Sequence, residues 1–159
     1  MIILDKYKRN LASASDEEFL ITQIWNLKHI FFNELAAIKN TQLEYLAFSE
    51  NFAESFKFNH MMLGKKLPTE NKADQEIVLT ELEIINSKLP NDSIYQFKHQ
   101  AGVQTYIMRK RPLINLQTGN CVGILILGGK LDPTTRRRMI RKYFMGKILN
   151  KALYYQPKI

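Results

Sequence analysis

The run Val122-Gly-Ile-Leu-Ile-Leu127 constrains the fold most tightly, because it is apolar on both sides of an extended strand. Val122, Ile124 and Ile126 fall on one parity, Leu125 and Leu127 on the other. Successive side chains of a strand point to opposite faces, so a strand apolar on both needs cover on both. One face should therefore pack on internal helices, and the outer face needs cover from another helix or from a second subunit. The turn sequence Gln117-Thr118-Gly119-Asn120 precedes it, and two further strand-like runs, Val103 to Ile114 and Ser93 to His99, precede that. Three strands in succession joined by short turns pair as antiparallel neighbours.

The upstream sequence supplies the other elements. Residues Leu35 to Phe48 read as a hairpin around Asn40-Thr41-Gln42, and Asn51 to Phe58 as a short helix turning Phe52 and Phe56 inward. Ala73 to Lys88 places Ile77, Leu82 and Ile85, with Val78 and Ile84 beside them, at helical spacing, and Pro90 follows its end. Near the N-terminus Ser15 caps a helix whose first turn holds Asp16, Glu17 and Glu18. Its apolar stripe of Leu20, Ile24, Leu27 and Phe31 makes residues Phe19 to Leu35 the candidate cover for the sheet, or a dimer interface. The expected fold is α+β, with a five-stranded antiparallel sheet, flanking helices and amphipathic helices at both ends. A length of 159 residues fits one such core.

In this order and spacing the chain resembles the PAS family over Ala37 to Leu127. A hairpin leads into Asn51-Phe52-Ala53-Glu54-Ser55-Phe56. Leu63-Gly64-Lys65 follows, then the helix, a strand and the turn at Gly102. The closing part is Lys110-Arg111-Pro112-Leu113-Ile114, a turn, and Gly119-Asn120-Cys121-Val122-Gly123-Ile124. The resemblance implies a sheet that cradles helices around a small-molecule cavity, and a role in sensing or dimerisation. Ile77, Tyr95, Phe97, Tyr106, Met108, Ile124 and Ile126 are the candidate pocket residues. A homodimer joined through the N-terminal helix is the expected assembly.

Departures from the better-known branches disfavour two cofactors. Flavin-binding light sensors carry a reactive cysteine on the helix after the first hairpin, whereas Cys121 stands in or beside the last strand. Haem-binding members use a histidine on the long helix, and Ala73 to Lys88 has none; His60 is isolated before Gly64. Three histidines and one cysteine also lack zinc-ligand spacing, so no metal is expected. No serine or cysteine is accompanied by a base and an orienting partner, and Glu81 and Glu83, two apart on one helix, do not face each other. Gly128-Gly129 lacks the further glycines and the Lys-Ser/Thr pair of a phosphate loop. No enzyme is expected.

The charge is unevenly placed. The chain carries +8, and nine of its 23 basic residues but one of its 15 acids lie from Lys130 onward, leaving the first 129 residues neutral. Asp132-Pro133 opens a basic amphipathic helix with Met139, Ile140, Tyr143, Phe144, Ile148, Leu149, Ala152 and Leu153 on its apolar face. Arg137, Arg138, Arg141 and Lys151 form its basic contact face. The expected division is a helical cap and dimerisation segment over 1–35, a sensory domain over 36–131 and the basic helix over 132–159. No apolar run has secretory or membrane-spanning length, and a single cysteine fits a reducing compartment, so a cytoplasmic location is expected. No output domain fits after Ile159, which suggests the sensor part of a transcription regulator or signalling protein, or a domain acting through a partner protein. The alternative is a nucleic-acid-binding or adaptor module that acts through the basic helix.

Overall fold

The computed structural model describes residues 2–3, 15–28, 34–99, 102–132, 134, 137–138 and 152–155. The helices described end to end are α1 (Asp16–Asn26), α2 (Glu50–Phe56) and α3 (Lys72–Ser87), with a 3-10 turn at His60–Met62. The strands are β1 (Ile2–Ile3), β2 (Leu35–Asn40), β3 (Tyr45–Phe48), β4 (Asn91–His99), β5 (Gly102–Ile114), β6 (Cys121–Lys130) and β7 (Ala152–Tyr155).

The sheet order is β1-β3-β2-β6-β5-β4-β7. Its centre is the expected antiparallel set of five, in the order β3-β2-β6-β5-β4, with β6 in the middle and covered on both faces. Two short strands extend it. β1 pairs antiparallel with β3, and β7 runs parallel to β4.

The two faces of β6 carry separate cores. Ile124 and Ile126 join Tyr95, Phe97, Tyr106 and Met108 under α2 and α3, while Leu125 packs with Ala36, Ile38, Leu20, Ile21 and Ile24 under α1. The register shifts between Leu113 and Ile114, so that Leu113 faces Gly123 and Ile114 faces Cys121. Val122 is the extra residue of that bulge, and it packs with the outer cluster rather than with Ile124 and Ile126. Close approach of β2 fixes the glycines: a Cβ on Gly123 would meet the Lys39 carbonyl oxygen, and one on Gly128 would meet Leu35 and Met108.

Ser15 caps α1 reciprocally, accepting from the Glu18 N–H and donating to the Glu18 carboxylate at 2.9 Å. Asp16 then accepts from Asn115, Thr118 and Asn120, which pins the start of α1 to the β5–β6 turn. Those three bonds hold its carboxyl below the usual range.

Two helical expectations are corrected. The first helix ends at Asn26 with Leu27 as its C-cap, short of Leu35, because Leu35 is drawn into the sheet opposite Gly128. Phe31 lies outside the described residues. The segment after Asp132 does not stay helical to its end, since Ala152–Tyr155 pairs with Ile94–Phe97. The bare edge of β4 offers a row of backbone donors and acceptors, and that pairing prevails over the helical spacing of Ala152 and Leu153.

Candidate functional site

The site lies on the concave face, between the sheet and helices α2 and α3. Ser49 sets its entrance wall: its hydroxyl accepts from the N–H groups of Phe52 and Ala36, which caps α2 and ties it to β2. Phe52 and Phe56, one turn apart on α2, therefore face inward, with ring centroids 4.5 Å apart. Phe56 continues the aromatic contact to Phe97 at 4.5 Å, and Phe97 to Tyr106 at 5.0 Å. Tyr45 on β3 and Phe58 after α2 close the other side, 5.2 Å apart and edge-on.

These rings enclose a cavity of about 40 Å³, measured as the space open to the centre of a water molecule. Leu67, Ile77, Met108 and Ile126 complete its apolar wall, while Glu81 and Lys110 form a charged floor. Of the seven pocket residues expected from sequence, Ile77, Tyr95, Phe97, Met108 and Ile126 line the cavity. Tyr106 and Ile124 belong to the same core but stand behind its wall; the Phe56 ring packs 5.7 Å from that of Tyr106.

The floor is an ion network that the sequence reading did not assign. Glu81 on α3 accepts from Lys110 of β5 on one carboxylate oxygen and from Lys39 of β2 on the other, both at 2.7 Å. The three residues are 1%, 1% and 0% exposed. Asp74, one helical repeat before Glu81 and also buried, adds its charge to the field at Lys39. Two rings sit against the cations: the Lys39 Nζ lies 4.3 Å from the Tyr45 centroid and the Lys110 Nζ 5.1 Å from that of Tyr95.

The network divides the two lysines. Burial pushes Lys39 below the ordinary lysine range, since Glu81 offsets that effect only in part and Lys110 adds to it. Burial also acts to lower Lys110, but Glu81 and then Tyr95 outweigh it and hold the ammonium above its ordinary range. Burial would raise the Glu81 carboxyl, yet the two ammonium groups override it and keep the group ionised. The Tyr95 hydroxyl is buried beside Lys110 and helps to hold its ammonium. Chemically, the floor is a set of fixed donors and acceptors under an apolar cage, suited to orienting the polar edge of a small molecule.

The signals were present in the chain. Asp74, Ile77, Glu81 and Ile84 recur at three and four residues and all point inward. Leu82, expected inside with Ile77, stands 39% exposed. Lys39 shares the parity of Ala37 on β2, and Lys110 that of Tyr106 and Met108 on β5. Among the described residues no group of histidine, cysteine, aspartate and glutamate side chains is placed to hold a metal.

No family model and no curated protein matches the sequence. Solved structures do match. The phage VqmA–DPO complex superposes with a TM-score of 0.60 at 17% identity, over 82% of this chain and 62% of that one. The Vibrio cholerae VqmA dimer superposes with a TM-score of 0.57 at 15% identity, over 69% of this chain and 52% of that one. The PAS domain of the histidine kinase ThkA gives a TM-score of 0.50 at 15% identity, over 60% of this chain and 97% of that domain. The chain has a PAS fold. Almost the whole ThkA PAS domain is matched, whereas the chain spans between about half and two thirds of the VqmA proteins. Helix α1 covers the outer face of the sheet, and the cavity lies between the sheet and helices α2 and α3. Leu20 and Ile24 are buried on that outer face within a single chain, with Leu27 packed beside them. Arg137 and Arg138 are exposed; Arg141 and Lys151 lie outside the described residues.

Proposed function

We propose that this PAS domain is the sensory part of a regulator, binding a small molecule in its concave cavity and passing occupancy on through its terminal segments to a second copy or an output domain. The cavity carries this reading: an aromatic cage over a buried Lys39–Glu81–Lys110 network that an apolar core has no need of. Buried ions are seldom there for stability alone, because hydrophobic residues of similar volume hold a core as well. Two of the similar structures support it, phage VqmA being solved as a complex with DPO and Vibrio cholerae VqmA as a dimer in the absence of its target DNA.

The transmission route follows strand alternation. On β2, Ala37 and Lys39 face the cavity side while Ala36 and Ile38 carry α1. A ligand that repositions Glu81 acts on Lys39 and so on the strand under α1, shifting a packing equilibrium. No helix among the described residues is long and apolar enough to cross a membrane. Native mass spectrometry of the purified chain, with an absorbance spectrum of the same sample, tests the reading. A small added mass that is lost in Lys110→Met supports it. A bare chain that takes up no member of a metabolite library contradicts it.

The charge of +8 favours a second reading, nucleic-acid contact through the basic C-terminal segment. Such binding would weaken by orders of magnitude between low and physiological salt. Binding of a small uncharged ligand in the cavity would not.

A further inference from the structure

We propose that the ligand is a small, uncharged, planar ring compound with one polar edge, and that it enters by replacing the ring of Phe58, which occupies the aromatic cage as a plug. The proposal rests on the sensory reading above and names the class of molecule sensed.

Size comes first. The cavity of about 40 Å³ holds one or two waters, well below the roughly 150 Å³ that admits benzene. A ring ligand therefore needs one wall residue to leave. Five of the six wall rings are buried on regular elements: Tyr45 on β3, Phe52 and Phe56 on α2, Tyr95 and Phe97 on β4. Phe58 alone is half-buried and lies in neither helix nor strand. It follows Lys57, which ends α2 in a left-handed conformation at φ 57°, and precedes Asn59, which caps the next turn. Its position is that of a guest: the centroids of Tyr45, Phe52, Phe48 and Phe56 surround it at 5.2, 5.6, 6.1 and 6.5 Å. These are ordinary spacings for edge-on aromatic pairs, so a planar ring that takes its place inherits the same contacts.

Charge and polarity set the rest. Glu81 already engages both Lys39 and Lys110, and Asp74 adds its charge at Lys39, so a charged ligand would have to break a buried ion pair to find a partner. One polar edge is still useful, because the polar groups of Lys110, Glu81 and Tyr95 line the same cavity as Phe58.

The test uses the full chain and four probes: phenol, benzene, benzoate and cyclohexanol. Phenol is expected to raise the melting temperature of the wild type, and benzoate and cyclohexanol to leave it unchanged. Phe58→Ala removes the competing ring and, should that variant fail to fold, Phe58→Leu provides a milder version. If the plug is seated at least nine-tenths of the time, phenol binds the variant about tenfold more tightly. Lys110→Met should abolish the preference for phenol over benzene. Equal affinity for phenol in wild type and both Phe58 variants would overturn the proposal, as would binding of benzoate or cyclohexanol as strong as that of phenol. An acyclic or charged molecule found in the chain by native mass spectrometry would overturn the ring class while leaving the sensory reading standing. Failure of every probe on wild type and variants, together with a bare chain, would remove both.

Discussion

At the scale of single residues, Glu81 is the group on which most depends. It is the ion-pair partner of two buried lysines, so Glu81→Gln weakens both pairs and should cost about 3–5 kcal/mol, read by urea unfolding. The sign with pH follows from its lowered pKa. The unfolded chain takes up the proton at higher pH than the folded one, so the stabilisation from Glu81 is present above the ordinary carboxylate range and is lost as pH falls through the folded value. The acid limb of the stability curve should therefore be shallower in Glu81→Gln than in the wild type. An unchanged limb would show that Glu81 is not ionised in its buried setting. Sequence pattern carried the apolar half of this site, since Tyr95, Phe97 and Met108 line the cavity on the parity expected of them. It missed the ionic half because isolated Lys39, Glu81 and Lys110 each look like solvated surface, and only the register that brings three elements together pairs them.

At the scale of elements, β6 and α1 decide the architecture. The need of β6 for cover on both faces was legible from its apolar pattern, and α3 and the three-strand run lie where periodicity placed them, but the strand order was not legible. The end of α1, the bulge at Val122 and the strand at Ala152–Tyr155 were not legible, because each is set by pairing with a distant strand and not by local preference. Two measurements follow. Gly123→Ala forces β2 and β6 apart at the Lys39 carbonyl and should lower the melting temperature by several degrees, whereas Gly119→Ala, at a turn with open space, disturbs no neighbour and costs only its positive φ of 73°. Ile24→Ala should cost about 2–5 kcal/mol independently of protein concentration, since Ile24 is fully buried on the chain's own sheet. A loss that grows on dilution would place Ile24 at a contact between subunits instead.

At the scale of the whole molecule, the PAS fold separates a small aromatic-lined cavity on one face of the sheet from helix α1 on the other, and β2 touches both. Its basic C-terminal segment and its neutral body are distinct in charge, so binding in the cavity and binding of a polyanion are distinguishable by salt alone. The central claim is that the concave cavity is where this protein meets its ligand. The most direct measurement is a two-dimensional amide spectrum of the full labelled chain, recorded while a library of small uncharged ring compounds is titrated in. The account predicts saturable shifts at Phe58, Tyr95, Met108 and Lys110, accompanied by shifts at Leu20 to Ile24 on the opposite face. Compounds that shift only the basic segment beyond Lys130, or none at all, would contradict it.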